Sequence, residues 1–439
     1  MELKNNYKKI SIALIFLSFS SFFLGFYLDE NSAGGGSYVG DWVFAWPNLQ
    51  IFLNNDILTA INHEDLLTNR TPLLYILHKL FNPFAGDKIG YRISVLIISL
   101  AIPVMFYFCL KQKFKNESNL LLILLSSIIF LSPYYRTSSY WGLEENYGII
   151  SLLLTFLFLH FFLNNKNQDS IKSYSYLFFS TFFSSICIYF DQKLLIIPLI
   201  CFFTIITCKK KIILKIFSIF LYFIFSMPYI YLIKLWGGIF PTHLTQARNL
   251  GDQLYIDHLG YTSTIIAFYL LPLLLLKEKK LTRLFTDFFL NKNNRYLILL
   301  SFIYIFSLII LSYFYQNNSL NNDIFLGKGI VHKLSFFLFE NVFFKKIFIY
   351  FSFLISWIIL LIFVNKNLKN SIILLYFFIF SLVTYPLLQE YFDPLIFILV
   401  LTFFSSNFFI NYKNVITLFL YFLFFLVGSN IYYLNLFNI

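Results

Sequence analysis

Residues 10–28 read ISIALIFLSFSSFFLGFYL, and the acidic pair Asp29-Glu30 ends this apolar run. A run of about 20 apolar residues is long enough to cross the hydrocarbon core of a bilayer as an α-helix. The next residues, 31–37, read NSAGGGS and lead into a long polar segment. The stretch therefore predicts a first membrane span that ends on two carboxylates at the membrane surface.

The composition places the whole chain among membrane proteins. Of its 439 residues, 59% are hydrophobic and 12% are charged, whereas soluble domains carry about 25% charged residues. Similar apolar runs predict about thirteen transmembrane helices. They lie at residues 10–28, 89–110, 119–134, 142–163, 174–190, 193–208, 213–236, 259–276, 296–315, 346–364, 371–388, 393–410 and 415–435. We expect one all-α, polytopic integral-membrane domain over residues 1–439.

Lys and Arg are concentrated in one set of alternating connections between the predicted spans. This set begins with residues 1–9 and includes residues 277–295, whereas the opposite set holds most of the Asp and Glu. Cytoplasmic loops carry an excess of Lys and Arg, so we expect the N-terminus in the cytoplasm. Loop 29–88 is then external, on a periplasmic or lumenal face. Topology thus explains the net charge of +12, and no nucleic-acid partner is predicted.

The external loop 29–88 contains two predicted amphipathic helices. Residues 48–62 place apolar side chains on one face and Asn, Gln and Thr on the other, a pattern typical of a helix in the membrane interface. The second helix is predicted to start with Thr71 as its N-cap and Pro72 at its first position. Its predicted apolar side is Leu73, Leu74, Leu77, Leu80 and Phe81. The glycines at 34–36 could form a flexible linker, a hinge or a close backbone approach to a ligand.

Charged and polar residues at the external ends of the predicted spans are the candidate site residues. Charges in or near hydrocarbon are costly, and they are hypotheses for functional sites. Asp29 and Glu30 are the candidate catalytic residues. The candidate substrate-binding residues are Arg70, Glu144, Glu145, Gln192, Lys193, His258, Lys328, His332, Lys333 and Glu390. Structural roles are the alternative, since acids in a first helical turn complement the helix dipole and single loop charges are often only solvated.

The cytoplasmic side offers no site for a soluble nucleotide. Neither GxxxxGK[ST] nor GxGxxG occurs in the chain, and the predicted cytoplasmic connections are short. We therefore expect an activated substrate that arrives within the membrane on a lipid phosphate, which basic residues could hold by charge-assisted hydrogen bonds. No spacing of ligands demands a metal, although Mg²⁺ or Mn²⁺ would suit carboxylate ligands. No cofactor is certain.

Several of these motifs together resemble the GT-C superfamily of integral-membrane glycosyltransferases, which use polyprenyl-phosphate sugars. The first three are Asp29-Glu30 at the start of the external loop, TPLLY at residues 71–75, and Tyr91-Arg92 leading into the second span. Three others are similar to dolichyl-phosphate-glucose-dependent alpha-1,2-glucosyltransferases. They are SPYY at 132–135, FDQ at 190–192, where that family has Phe-Arg-Gln, and LQEYFDP at 388–394, which resembles its Glu-Pro-Arg-Tyr-Phe segment.

The resemblance implies an inverting enzyme that transfers a sugar from a polyprenyl phosphate to a hydroxyl of a glycan or lipid-linked acceptor on the external face. It also implies Asp29 as the base that deprotonates the acceptor, with Glu30, Glu144 and Glu145 orienting the acceptor or holding a divalent metal. A lipid-linked sugar flippase or a small-molecule transporter is an alternative, but no internal repeat of the transporter type is evident. A surface-polysaccharide polymerase or ligase is another, although such enzymes are expected to concentrate key residues in a late external loop.

Overall fold

Helices account for 80% of the residues that the structure describes. The computed structural model describes residues 2–33, 40–68, 70–238, 254–277, 281–314, 327–364, 367–405 and 408–434. No strand occurs within these ranges, so the predicted all-α class is confirmed. The glycines at 34–36 lie outside the described residues, and the roles suggested for them stay predictions.

The chain packs into two compact units, residues 1–248 with 422–437 and residues 249–421 with 438–439. The helices up to residue 248 are α1 (Glu2–Tyr27), α2 (Trp42–Asn54), α3 (Ile57–Ile61), α4 (Leu73–Phe81), α5 (Lys88–Ser99), α6 (Ala101–Lys113), α7 (Asn119–Ser127), α8 (Pro133–Trp141), α9 (Glu145–Asn164), α10 (Ile171–Phe190), α11 (Ile196–Thr207) and α12 (Ile212–Trp236). The later helices are α13 (Asp257–Leu273), α14 (Leu281–Leu290), α15 (Arg295–Phe314), α16 (Gly329–Leu338), α17 (Val342–Val364), α18 (Leu368–Val383), α19 (Leu395–Thr402) and α20 (Tyr412–Tyr433). Short 3₁₀ turns extend α7, α11 and α13. That residues 1–439 act as one domain stays a prediction.

Seven helical segments of the described chain are long and apolar enough to cross a membrane, and two bent helix pairs raise the number to as many as nine. The seven are Asn6–Tyr27, Lys88–Lys113, Glu145–Asn164, Ile212–Trp236, Asp257–Leu276, Val342–Val364 and Tyr412–Tyr433. Many of their exposed side chains are large and apolar, such as Phe16 at 70% and Phe424 at 75% exposure. Water would not solvate such a surface favourably, which is consistent with a multi-pass membrane protein.

The predicted number of about thirteen spans is not confirmed. Every predicted span overlaps a helix, but several of these helices are too short or too polar to count. The segments Gln192–Thr207 and Leu368–Val383 are shorter apolar helices, and α19, within the predicted span 393–410, has only 8 residues. Helix α10 has 20 residues, but its Ser and Tyr residues lower its hydropathy. Apolar runs therefore located the helices better than they counted the membrane crossings.

The helix predicted at 48–62 is wrong in its boundaries. The structure has α2 over Trp42–Asn54 and a separate helix α3 over Ile57–Ile61. The helix is interrupted before Asp56, whose carboxylate caps α3. It accepts hydrogen bonds from two backbone N–H groups in the first turn of α3, at 3.1 Å each. Asp is a preferred N-cap residue because its oxygen satisfies these otherwise unpaired donors. That these helices lie in the membrane interface stays a prediction.

The second helix predicted in the external loop is confirmed as α4, but its predicted cap is wrong. Pro72 is the N-cap, and no side chain caps the helix. The Thr71 hydroxyl instead donates to the carbonyl of Tyr189, far along the chain. The Thr71 hydroxyl therefore makes a tertiary hydrogen bond instead of the predicted local one to the first turn of α4. The buried face of α4 also differs from the predicted apolar side and comprises Leu74, Tyr75 and His78.

Helices α7 and α8 form a bent pair that supports the candidate site. The segment Asn119–Leu131 meets Pro133–Trp141 at 68°. The Ser132 hydroxyl starts the new helix by accepting from the N–H of Tyr135 at 3.0 Å, and Pro133 occupies the first turn, where it needs no N–H partner. The bend brings Tyr140 to α1, where its hydroxyl donates to the carbonyl of Phe22 at 2.6 Å.

Candidate functional site

Asp29 lies just beyond α1 in an unusual backbone conformation. Its φ is +52°, a left-handed value that is uncommon for a residue with a side chain. Its Oδ1 accepts a hydrogen bond from Nη2 of Arg92 at 2.6 Å, and its side chain is 54% exposed. Within the described residues, Oδ2 has no hydrogen bond. Asp29 thus has one oxygen held by a cation and a second oxygen available to an incoming group.

Arg92 orients this carboxylate and was not among the predicted site residues. Its Nε donates to the carbonyl of Tyr140 at 2.8 Å, and its guanidinium lies 4.1 Å from the ring centroid of Trp141. These contacts leave Nη2 for Asp29. A sequence signal did exist, because Arg92 lies inside an apolar span, and a charge there requires a partner.

Glu30 has a different environment from its neighbour. Both of its carboxylate oxygens accept from Nε of Arg136, at 3.0 and 3.1 Å, and Nη2 of Arg136 also contacts one of them. Asn430 donates to Oε1 at 3.1 Å. The Glu30 and Arg136 side chains are only 10% and 3% exposed. Glu30 therefore joins the end of α1 to α8 and α20 within the first unit, and its catalytic role stays a prediction.

Glu144 and Glu145 share a single guanidinium. Nη1 of Arg70 lies 2.7 Å from Oε1 of Glu144 and 2.8 Å from Oε1 of Glu145. The turn before them needs Gly142, whose φ is +68° and at which a Cβ atom would meet the Tyr91 ring at 2.3 Å. The Tyr91 hydroxyl donates to the Gly142 carbonyl at 2.7 Å. Two carboxylates on one cation leave the group with excess negative charge.

Asp191 and Lys193 extend this charged group, which we call the Arg70 cluster: Arg70, Glu144, Glu145, Asp191 and Lys193. Nζ of Lys193 lies 2.8 Å from Oδ2 of Asp191, with both side chains under 10% exposed. Electrostatic attraction also couples Lys193 to Glu145 and Arg70 to Asp191. Gln192, between them in sequence, hydrogen-bonds Tyr229. The structure thus brings together four of the predicted site residues, Arg70, Glu144, Glu145 and Lys193, and adds Asp191, which was not predicted.

Glu144 is expected to make the stability of the protein depend on pH. Burial raises the pKa of the Glu144 carboxyl from 4.5 to about 7; Arg70 opposes the rise and the charge of Glu145 adds to it. Because the folded-state pKa exceeds the unfolded value, the folded protein binds the additional proton between these values. Its stability therefore falls as pH rises through this window. We expect the Tm in detergent to fall between about pH 4.5 and pH 7 and Glu144→Gln to remove most of that slope. An unchanged slope in the variant would mean that another group titrates.

The second unit contains its own buried charged group. Nζ of Lys328 lies 3.6 Å from Oδ2 of Asp257, with side chains 6% and 9% exposed. Lys328 has φ +58° between two glycines that also have positive φ, and it caps α16. On that helix, Nδ1 of His332 lies 3.1 Å from the hydroxyl of Tyr261, and burial lowers the pKa of Lys333 to about 8.

His258 and Glu390 are the other two predicted site residues of the second unit. His258 follows Asp257 in the chain, and its Nδ1 lies 3.1 Å from the Ser381 carbonyl oxygen. The charges of Asp257 and Lys328 both interact electrostatically with its ring. Glu390 lies in the short turn Gln389–Tyr391. The preceding Gln389 accepts from the N–H of Ile330 at 3.0 Å, which joins this turn to the start of α16.

The described residues contain no group of three or more His, Cys, Asp and Glu side chains arranged to hold a metal ion. Arg70, rather than a ligand geometry suited to a divalent cation, organises Glu144 and Glu145. Convergence of Asp29 and Glu144 on one cavity stays a prediction. The segment from Tyr140 to Glu145 is common to both, since it contacts Arg92 at one end and Arg70 at the other.

Comparison with protein families, curated proteins and solved structures found no match to this chain. The class that the fold and the charged groups define is therefore a helical protein with seven or more candidate membrane spans and ion-paired residues at helix ends. The GT-C resemblance rests on the sequence motifs.

Proposed function

We propose that the protein is a membrane glycosyltransferase that moves a sugar from a polyprenyl-phosphate donor to an acceptor hydroxyl on the external face. The observation that carries the proposal is Asp29, with one oxygen held by Arg92 and the other available, on a side chain that is 54% exposed. A general base must present an unoccupied oxygen to the proton that it takes. Its position at the end of the first span would let it act on a substrate held in the membrane.

In the proposed reaction, Oδ2 of Asp29 takes the proton from the acceptor hydroxyl as the hydroxyl oxygen attacks the anomeric carbon of the sugar. The new glycosidic bond forms as the bond from the anomeric carbon to the phosphate oxygen breaks. The electron pair of that bond leaves with the polyprenyl phosphate. A single displacement from the opposite face inverts the configuration of the anomeric carbon.

Cations near the leaving phosphate would stabilise the charge that develops on it. The first unit supplies Arg70, whose side chain is 21% exposed, and Lys193. In the second unit, Lys328 and Lys333 are the candidate cations, because burial lowers the pKa of His332 to about 3 and leaves it neutral. Arg70, Lys193 and Lys328 each have a carboxylate partner, so phosphate binding would have to compete with or extend these ion pairs.

The test uses purified full-length protein in lipid vesicles, with radiolabelled polyprenyl-phosphate sugars and nucleotide sugars offered separately. A membrane extract from the source cells supplies acceptors. We expect sugar transfer from the polyprenyl-phosphate donors and no transfer from the nucleotide sugars. Transfer from a nucleotide sugar without a lipid carrier would contradict the donor class. Movement of the lipid-linked sugar across the bilayer without a new glycosidic bond would instead indicate a flippase.

A further inference from the structure

Helix α14, Leu281–Leu290, is amphipathic and lies in a basic segment of the second unit. Its apolar and polar residues alternate at helical spacing, which gives the helix two distinct faces. The apolar positions are Leu281, Leu284, Phe285 and Phe288, and the polar positions are Thr282, Arg283, Thr286 and Asp287. At its end, Phe289 and Leu290 are 47% and 82% exposed. Exposed side chains of this kind are unfavourable in water.

Helix α14 is roughly perpendicular to the helix that follows it, α15. The segments Thr282–Leu290 and Arg295–Leu311 meet at 96°. Helix α15 exposes large apolar side chains such as Phe306, at 65%, as a helix that contacts lipid does. With α15 taken as a crossing helix, this angle places α14 along the membrane surface. Phe288 is buried in the protein, and the exposed Phe289 and Leu290 are the residues that can enter the boundary between headgroups and acyl chains.

Other helix ends of the second unit meet at the same level. Lys277, just after α13, donates to the Phe363 carbonyl near the end of α17 at 3.2 Å. Asn414, at the start of α20, donates to the Leu275 carbonyl at 2.8 Å. The cations of this end in the described residues are Lys277, Arg283, Lys292, Arg295, Lys369 and Lys413. Asp287 is the one carboxylate among the described residues there.

We infer that this end of the second unit binds the headgroups of anionic phospholipids, with α14 lying along the bilayer surface. The charge of the surface is complementary to that of the headgroups, and the exposed apolar side chains of α14 explain why the ligand is a membrane lipid. Arg283, Lys292 and Arg295 are all exposed and so can reach headgroups. The inference does not depend on the proposed enzymatic function.

The test compares full-length protein titrated with phosphatidylglycerol or phosphatidylcholine in detergent, with bound lipid counted by native mass spectrometry. Each basic residue near an anionic surface contributes about fivefold in affinity. We therefore expect the wild type to prefer phosphatidylglycerol and Arg283→Gln with Lys292→Gln to weaken its binding roughly twenty-five-fold. Phosphatidylcholine binding should not change.

The matched control replaces two other exposed cations, Lys88→Gln with Lys346→Gln, and should retain the preference of the wild type. Equal binding of the two lipids by the wild type would overturn the inference. So would a control variant that loses as much phosphatidylglycerol binding as the α14 variant, because the attraction would then follow total charge rather than this surface.

Discussion

Asp29→Asn is expected to lower sugar transfer by about 10²–10⁴-fold, the usual contribution of a positioned acid–base group. Asn keeps the size of the side chain, and its oxygen can still accept the hydrogen bond from Arg92, but it cannot take the acceptor proton at neutral pH. The variant should fold with a small loss of Tm, because the Asp29 side chain is 54% exposed and Arg92 keeps its hydrogen bond to Tyr140 and its contact with Trp141. Binding of the lipid donor should persist, since basic residues rather than Asp29 would hold the phosphate. The measurements are initial transfer rates, donor binding and Tm for each protein.

Asp65→Asn is the matched control for this prediction. Asp65 lies in the same predicted external loop, and its side chain is 79% exposed, so the substitution should leave transfer and Tm unchanged. Full activity in Asp29→Asn would remove Asp29 as the base. A parallel loss of Tm and activity in Asp29→Asn would indicate a structural role for this carboxylate.

Glu30→Gln is expected to destabilise the protein by about 3–5 kcal/mol, the usual cost of leaving one member of a buried ion pair without its partner. The Arg136 guanidinium, only 3% exposed, would then keep its positive charge in a buried site with no carboxylate beside it. Gln can retain some hydrogen bonds but not the charge. The measurement is thermal or denaturant unfolding of the purified protein in detergent, followed by circular dichroism.

Asp169→Asn serves as the control because its ion pair with Lys211 is exposed, with side chains 68% and 52% accessible. Surface ion pairs contribute about 0–1 kcal/mol, so this variant should unfold almost as the wild type does. If Glu30→Gln and Asp169→Asn unfold alike, the Glu30 ion pair does not fasten α1. The expected results distinguish the two acids, because Asp29→Asn should mainly lower the transfer rate and Glu30→Gln should mainly lower the free energy of unfolding.

The acidic pair itself was predictable from sequence, whereas its partners were not. Arg92 is 63 residues from Asp29, and Arg136 is 106 residues from Glu30. Local spacing carries no information about pairs at such separations. The cluster formed by Arg70 with Glu144 and Glu145 is of the same kind: each residue was recognisable as an unusual charge, but only folding chose its partner. Catalytic and binding roles for these residues remain predictions.

By itself, the sequence determined the all-α class and the approximate positions of the helices, because backbone groups in hydrocarbon must pair within their own segment. It also determined that carboxylates follow the first apolar run. Tertiary structure decided how many helices are long enough to cross, where α7 bends into α8, and which acid of the pair stays exposed. These properties depend on packing between distant segments: Arg136 reaches Glu30 only because the bend of 68° redirects α8. Both residues are acids, but these tertiary contacts bury Glu30 in an ion pair between helices and leave Asp29 accessible.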